Sequence, residues 1–186
     1  MNKIIRYVVF FVLYVAAASL LMVGCSSQEA LLTKENRLIF SGIASINKGQ
    51  IDKAERDFNE VLSFNSGSVM AYCGLGQVYI QKRGFDKALS YYTKALLIDE
   101  VNPQVHIGLG SAYFMKGDAE KAIESYEEAI RLDDKSAQAY FGLAIAYSGN
   151  PEYAEQISEL VDKLDKLDKK LADKLRQMQN LNPGGI

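Results

Sequence analysis

The reactive side chains of this sequence are few: two cysteines, Cys25 and Cys73, and one histidine, His106. A thiolate attacks electrophilic carbon or binds a soft metal, and an imidazole moves protons near neutrality. His106 has no Asp or Glu at metal-ligand spacing and stands where the surrounding pattern wants a packing residue. No base neighbours Cys73 within its predicted helix, so its thiol is expected to stay neutral. No Ser or Cys pairs with a base at a catalytic spacing, and Gly-Leu-Gly at 74–76 and 108–110 falls inside predicted helices, away from any phosphate-loop context. The expectation is a protein with no catalytic residues, no cofactor and no metal.

Cys25 differs from Cys73 in what precedes it. Lys3 and Arg6 are followed by an uncharged apolar run from Tyr7 to Val23 and then the small residue Gly24. That order is an export signal. The run is short for a membrane span of about 20 apolar residues, although an uncleaved N-terminal anchor remains open. The junction Leu21-Met22-Val23-Gly24-Cys25 resembles the lipobox of bacterial lipoproteins, with Met22 departing from the usual Leu. The resemblance implies that Cys25 accepts diacylglycerol as a thioether and becomes the first residue of the mature chain. Two or three acyl chains, at about 0.8 kcal/mol per buried methylene, make such an anchor effectively permanent. Ser26, in place of an Asp, resembles the outer-membrane address of Gram-negative lipoproteins. The implied order is a signal peptide at 1–24, a lipidated spacer at 25–34, and a mature domain in the cell envelope, on the outer membrane facing the periplasm.

The elements beyond the spacer are set by a repeat. Leu75, Leu109 and Leu143 stand 34 residues apart, as do Tyr79, Tyr113 and Tyr147, and Gly42, Gly76, Gly110 and Ala144. Ala54, Ala88 and Ala122 form another column, followed by Phe58, Tyr92 and Tyr126, and by Val61, Ala95 and Ala129. Within one period the spacing of three and four residues places Tyr72, Leu75, Gly76 and Tyr79 on one helical stripe and Ala88, Tyr92 and Ala95 on another. Small residues let two antiparallel helices approach, and rings fill the space between successive pairs. No pair buries its apolar face alone, so neighbours must stack.

The columns at 72–95 and 106–129 resemble the tetratricopeptide repeat. Glu100 and Asp134 stand where that family ends a repeat with Pro, His106 replaces its aromatic, and Ser41 and Ser45 depart from its pattern in the first helix. The resemblance implies an all-α fold, a right-handed superhelix of antiparallel helix pairs, with about three to four repeats over 35–164. Helices are predicted at 35–47, 51–64, 69–82, 85–98, 103–115, 119–131 and 137–148. One long amphipathic helix is predicted from 152 to 180, Asn150-Pro151 supplying its start and Ile157, Leu160, Leu164, Leu167, Leu171, Leu175 and Met178 its apolar stripe. Its part beyond the repeats, with the tail, occupies 165–186. Asp162 with Lys166 and Asp165 with Lys169 are spaced to pair along its solvated face.

In that family the first helix of each repeat lines a concave surface. Here the corresponding stripe holds Ile39, Ile43 and Ile46, then Met70, Cys73, Gln77 and Ile80, then Ile107, Ser111 and Phe114, then Phe141 and Ile145. The Lys, Arg and Asn of the family's two-carboxylate clamp have no counterpart. Gly74, Gly108 and Gly142 run beside the stripe, each less favourable in a helix than Ala by about 0.5–1 kcal/mol, which points to a close approach. The stripe reads either as a peptide-binding groove or as core closed over by 26–34 or by the last helix.

Of 186 residues 48% are hydrophobic and 24% charged, as in a globular domain. The net charge of −2, or −4 once Lys3 and Arg6 are removed, provides no basic field for nucleic acid. The expected partners are a protein in the groove and the membrane through Cys25, with no nucleic acid and no small-molecule substrate. Short lipoproteins with this repeat resemble the pilotins of type IV pili and the lipoproteins of tight-adherence pilus loci. The expectation is an adaptor or scaffold in assembly of a pilus or secretion apparatus. A regulatory adaptor for peptidoglycan hydrolases or a periplasmic protease is the other reading.

Overall fold

A computed structural model describes residues 29–181. The expected signal peptide at 1–24, the lipidation site Cys25 and the tail at 182–186 lie outside the described residues. The described chain is a series of α-helices: α1 (29–47), α2 (Ile51–Phe64), α3 (Val69–Gln81), α4 (Phe85–Ile98), α5 (Pro103–Lys116), α6 (Ala119–Leu132), α7 (Ala137–Tyr147), α8 (Ala154–Leu167) and α9 (Lys169–Leu181), with a short 3-10 turn at Pro151–Tyr153. Helix α1 already runs through 29–34, which the spacer was expected to include.

The same local chemistry starts and stops the helices in each repeat. Ser68 and Ser136 cap α3 and α7 by accepting from the N–H of Ala71 and Ala139, while Asn102 caps α5 ahead of Pro103. Helices α1, α3 and α5 end in one paired motif. Gln50, Gly84 and Asp118 donate their N–H to the carbonyls of Ser45, Tyr79 and Tyr113, and the residue before each donates to Ile46, Ile80 and Phe114. That motif puts one residue in the left-handed region: Gly49 (φ 71°), Arg83 (φ 59°) and Gly117 (φ 92°). Arg83 holds this conformation without glycine's freedom.

From α2 onward each helix packs on its sequence neighbours, α1 meets α2 through Ser41 and Asp57, and α3 also touches α5, α5 touches α7 and α7 touches α9. The even-numbered helices spread apart on the outside, so the odd-numbered helices form the inner face. The joint between repeats is a ring held by two glycines. A Cβ on Gly42 would come within 2.6 Å of the Phe58 ring and one on Gly74 within 2.4 Å. Tyr92 sits in the same way between Gly76 and Gly108, and Tyr126 between Gly110 and Gly142. Ala88 and Ala122 are fully buried at the crossings beside these rings. The close approach expected at Gly74, Gly108 and Gly142 is therefore made by rings of the chain's own outer helices.

The C-terminal helix departs from expectation. It is two helices, broken at Asp168, whose extended backbone (φ −152°, ψ 93°) ends α8. Its carboxylate accepts from the N–H of Lys170 and Leu171 and so starts α9. The new helix folds back beside α7 and buries Ala172 and Leu175. Asp165, expected to pair along one helix with Lys169, instead joins Arg176 across the turn. In this last unit Ala144 and Val161, both buried in one cluster, replace the glycine and the ring.

Candidate partner-binding trough

The inner face carries an open trough of about 620 Å³ whose lining spans α1, α3, α5 and α7. From the expected groove it collects Ile39, Ile43 and Ile46 of α1 and Met70, Cys73 and Gln77 of α3. Ile39 is floor, 2% exposed, and Met70 is rim, 56% exposed. Val69, Gly74 and the Phe58 ring complete the apolar side.

The remaining expected groove residues are not brought to the trough. Ile80 and Ile107 are buried in two different core clusters. Ser111 hydrogen-bonds the Tyr126 hydroxyl at 3.0 Å. Phe114, Phe141 and Ile145 are half-buried against the C-terminal cluster, with the Lys174 ammonium 5.2 Å from the centre of the Phe141 ring. The stripe is thus open at its N-terminal half and closed at its C-terminal half.

The lining also includes amides that the stripe reading did not single out: Asn47, Asn102, Gln104 and Gln138. Gln104 and Gln138 follow Met70 at 34-residue intervals, so the repeat register held the signal that residue polarity hid. The Asn102 side chain is used, accepting from Gln104 N–H and donating to Asp99. Gln104 and Gln138 are exposed. Among the described residues no Lys, Arg, Asp or Glu lines the trough. A lining that combines apolar side chains with neutral donors and acceptors suits an uncharged extended segment whose main chain hydrogen-bonds the amides while its side chains meet the apolar residues.

The other chemically suggestive residues have structural roles. Burial pushes the Cys73 thiol up to about 11, which leaves it neutral. His106 Nε2 lies 3.2 Å from the Glu100 carbonyl oxygen at the start of α5. Ion pairs join the end of one odd-numbered helix to the preceding even-numbered helix. Lys82 bridges Asp52 and Glu55 at 2.7 and 2.6 Å, and Lys116 reaches Asp86 at 2.6 Å. Glu55 also accepts from the Tyr79 hydroxyl, and both donors hold its carboxyl below the ordinary range, that of Lys82 first. These groups tie repeats together away from the trough.

The comparisons agree with this architecture. Residues 71–102 match the family described as tetratricopeptide repeat, and residues 110–150 match that described as TPR repeat. The chain therefore carries tetratricopeptide repeats, and its fold is their all-helical solenoid. Among solved structures it is similar to an O-GlcNAc transferase mutant of Thermobaculum terrenum (20% identity, TM-score 0.68), over 73% of this chain and 26% of that one. The chain thus spans about a quarter of that enzyme. A thermophilic TPR protein of Thermus thermophilus is similar over 77% of this chain and 80% of its own, at 18% identity and TM-score 0.66. The second TPR domain of human RPAP3, solved with an HSP70 peptide, is similar over 62% and 97%, at 16% identity and TM-score 0.56. No curated protein matches the chain by sequence.

Proposed function

We propose that this protein is a non-catalytic adaptor, anchored in the cell envelope by acyl chains on Cys25, that holds a partner protein during assembly of an envelope system such as a pilus or secretion apparatus. The observation that carries the binding role is the uncharged trough across α1, α3, α5 and α7, lined by Met70, Gln104 and Gln138 among others. A similar fold solved with a bound peptide supports a protein segment as the occupant. The lack of charge in the trough favours apolar and main-chain recognition over capture of a terminal carboxylate. Anchoring rests on the sequence before Cys25, and the envelope assembly on the resemblance to pilus lipoproteins.

A photo-crosslinking residue at position 70, introduced in the cell of origin, tests the binding role. Crosslinks to a component of an envelope assembly, absent when the probe stands at exposed position 120, are the expected result. Crosslinks confined to unrelated proteins, or none, would remove the proposed role. Mass spectrometry of the mature N-terminus reads the anchor separately. A diacylated or triacylated Cys25 is expected, and an intact leader would replace the lipid anchor with an uncleaved one.

A further inference from the structure

All odd-numbered helices run the same way, so the start of α1 and the turns before α3, α5 and α7 lie on one edge of the solenoid. That edge exposes large apolar side chains. Leu97 is 77% and Val101 68% exposed, Ile98 is exposed between them, and Leu31 and Leu32 are exposed in the first turns of α1. The repeat does not require Leu97 or Val101: Leu97 corresponds to Ser63 and Arg131 in the neighbouring periods, and Val101 to Gly67 and Lys135, whereas Ile98 shares its column with Phe64 and Leu132. The opposite edge is charged and mixed in sign, with Lys82 paired to Asp52 and Glu55, Lys116 to Asp86 and Lys121 to Asp118.

We infer that the edge bearing Leu31, Leu32, Leu97, Ile98 and Val101 seats on the lipid bilayer, its apolar side chains entering the interface beside the acyl anchor. This rests on the lipid-anchor reading of Cys25. Only residues 26–28 separate Cys25 from the described start of α1, and an extended chain covers at most about 14 Å over that stretch. A lipidated Cys25 therefore holds this edge, and not the charged opposite one, against the membrane. Asp99, Glu100, Asp133 and Asp134 share the edge with Lys34, Arg131 and Lys135, so the edge has no basic excess and the contact is not attraction to anionic headgroups. It is insertion of apolar side chains that water otherwise surrounds.

The test uses the lipidated full-length protein in phosphatidylcholine vesicles, with Cys73→Ser so that an introduced cysteine is the sole labelling site. A fluorophore at Leu97→Cys should be quenched by headgroup-proximal doxyl lipid several-fold more than one at Glu120→Cys on the opposite edge. A label at Ile98→Cys should give the same signal and fall to the position-120 level when Leu97→Ser and Val101→Ser are added, with helical circular dichroism unchanged. Quenching that persists in that variant would assign the proximity to the tether alone and overturn the inference. A label shielded from aqueous iodide yet beyond doxyl lipid would assign the edge to a second copy and also overturn it. Both outcomes leave the anchor standing, because the same sample gives the Cys25 mass. An unmodified Cys25 in protein that fails to float with vesicles removes the anchor and the inference together.

Discussion

A Cβ placed on Gly108 would stand 2.1 Å from Cε1 of Tyr92. Gly108 belongs to α5 and Tyr92 to α4, so one pair of residues sets how closely successive repeats approach. The joint predicts that Gly108→Ala destabilises the fold although Ala is the better helix former. The gain in propensity is about 0.5–1 kcal/mol and overpacking opposes it by about 1–3 kcal/mol. Adding Tyr92→Val should recover part of the loss, since the chain itself joins Ala144 and Val161 in one cluster. Urea unfolding of the two single variants and the double variant measures the coupling. Additive losses would contradict the ring-in-socket joint.

The trough predicts that charge at its rim separates binding from folding. Met70 is 56% exposed, so Met70→Glu should keep the parent melting temperature within about 2 °C while reducing co-purification of the partner at least about tenfold, as an unpaired carboxylate is desolvated on binding. Phe114→Glu should instead lower the melting temperature, because Phe114 packs against the C-terminal cluster. Co-purification and circular dichroism on both variants check the two arms.

Cys73 lines the trough yet should be a poor nucleophile. With its thiol pushed up to about 11 by burial, the thiolate fraction at pH 8 is about one in a thousand. In a Cys25→Ser chain, alkylation by iodoacetamide at pH 8 should run roughly a hundredfold slower in the native protein than in denaturant. Equal rates would mean that the trough wall opens readily.

The buried tyrosines predict where stability fails in alkali. Burial raises Tyr92 and Tyr126, and Tyr147 is pushed up to about 12 by burial and by its hydrogen bond to Glu127. The folded chain keeps these protons above pH 10, where the unfolded chain loses them. Their stabilisation is therefore complete below pH 10 and is lost as pH rises toward 12 and beyond. The urea midpoint should be flat from pH 8 to 9 and decline from pH 10. Tyr92→Phe, a change that Phe58 shows the socket accepts, should make that decline shallower.

The helices were legible in the sequence because the columns that make them also make their joints. Ala88, Tyr92 and Ala95 could occupy only one register, and α2 and α4 fall on the residues expected. The break at Asp168 was not legible. Leu164, Leu167, Leu171 and Leu175 continue in helical phase through it, with no Gly or Pro to mark a stop. What ends the helix is a side-chain cap together with burial of Ala172 and Leu175 after the fold-back, and the second of these exists only once α7 is in place. The trough was half legible for a related reason. Cys73 and Ile107 share a column, yet Ile107 is buried and Cys73 is not, because exposure is decided by what the neighbouring helices place over each position.

The ring held between two glycines makes the repeats interchangeable parts. Phe58, Tyr92 and Tyr126 each meet one glycine from the helix before and one from the helix after, so removing residues 69–102 would bring Gly108 to Phe58 in the place of Gly74. Ser68 would then cap a helix beginning at Pro103. The chain can in this way change length by a whole period without redesigning a joint, and the trough would shorten or lengthen with it. The last unit does not share that freedom. Beyond Tyr126 and Gly142 no ring stands between two glycines among the described residues, so a change in length that reuses this joint falls upstream of α7.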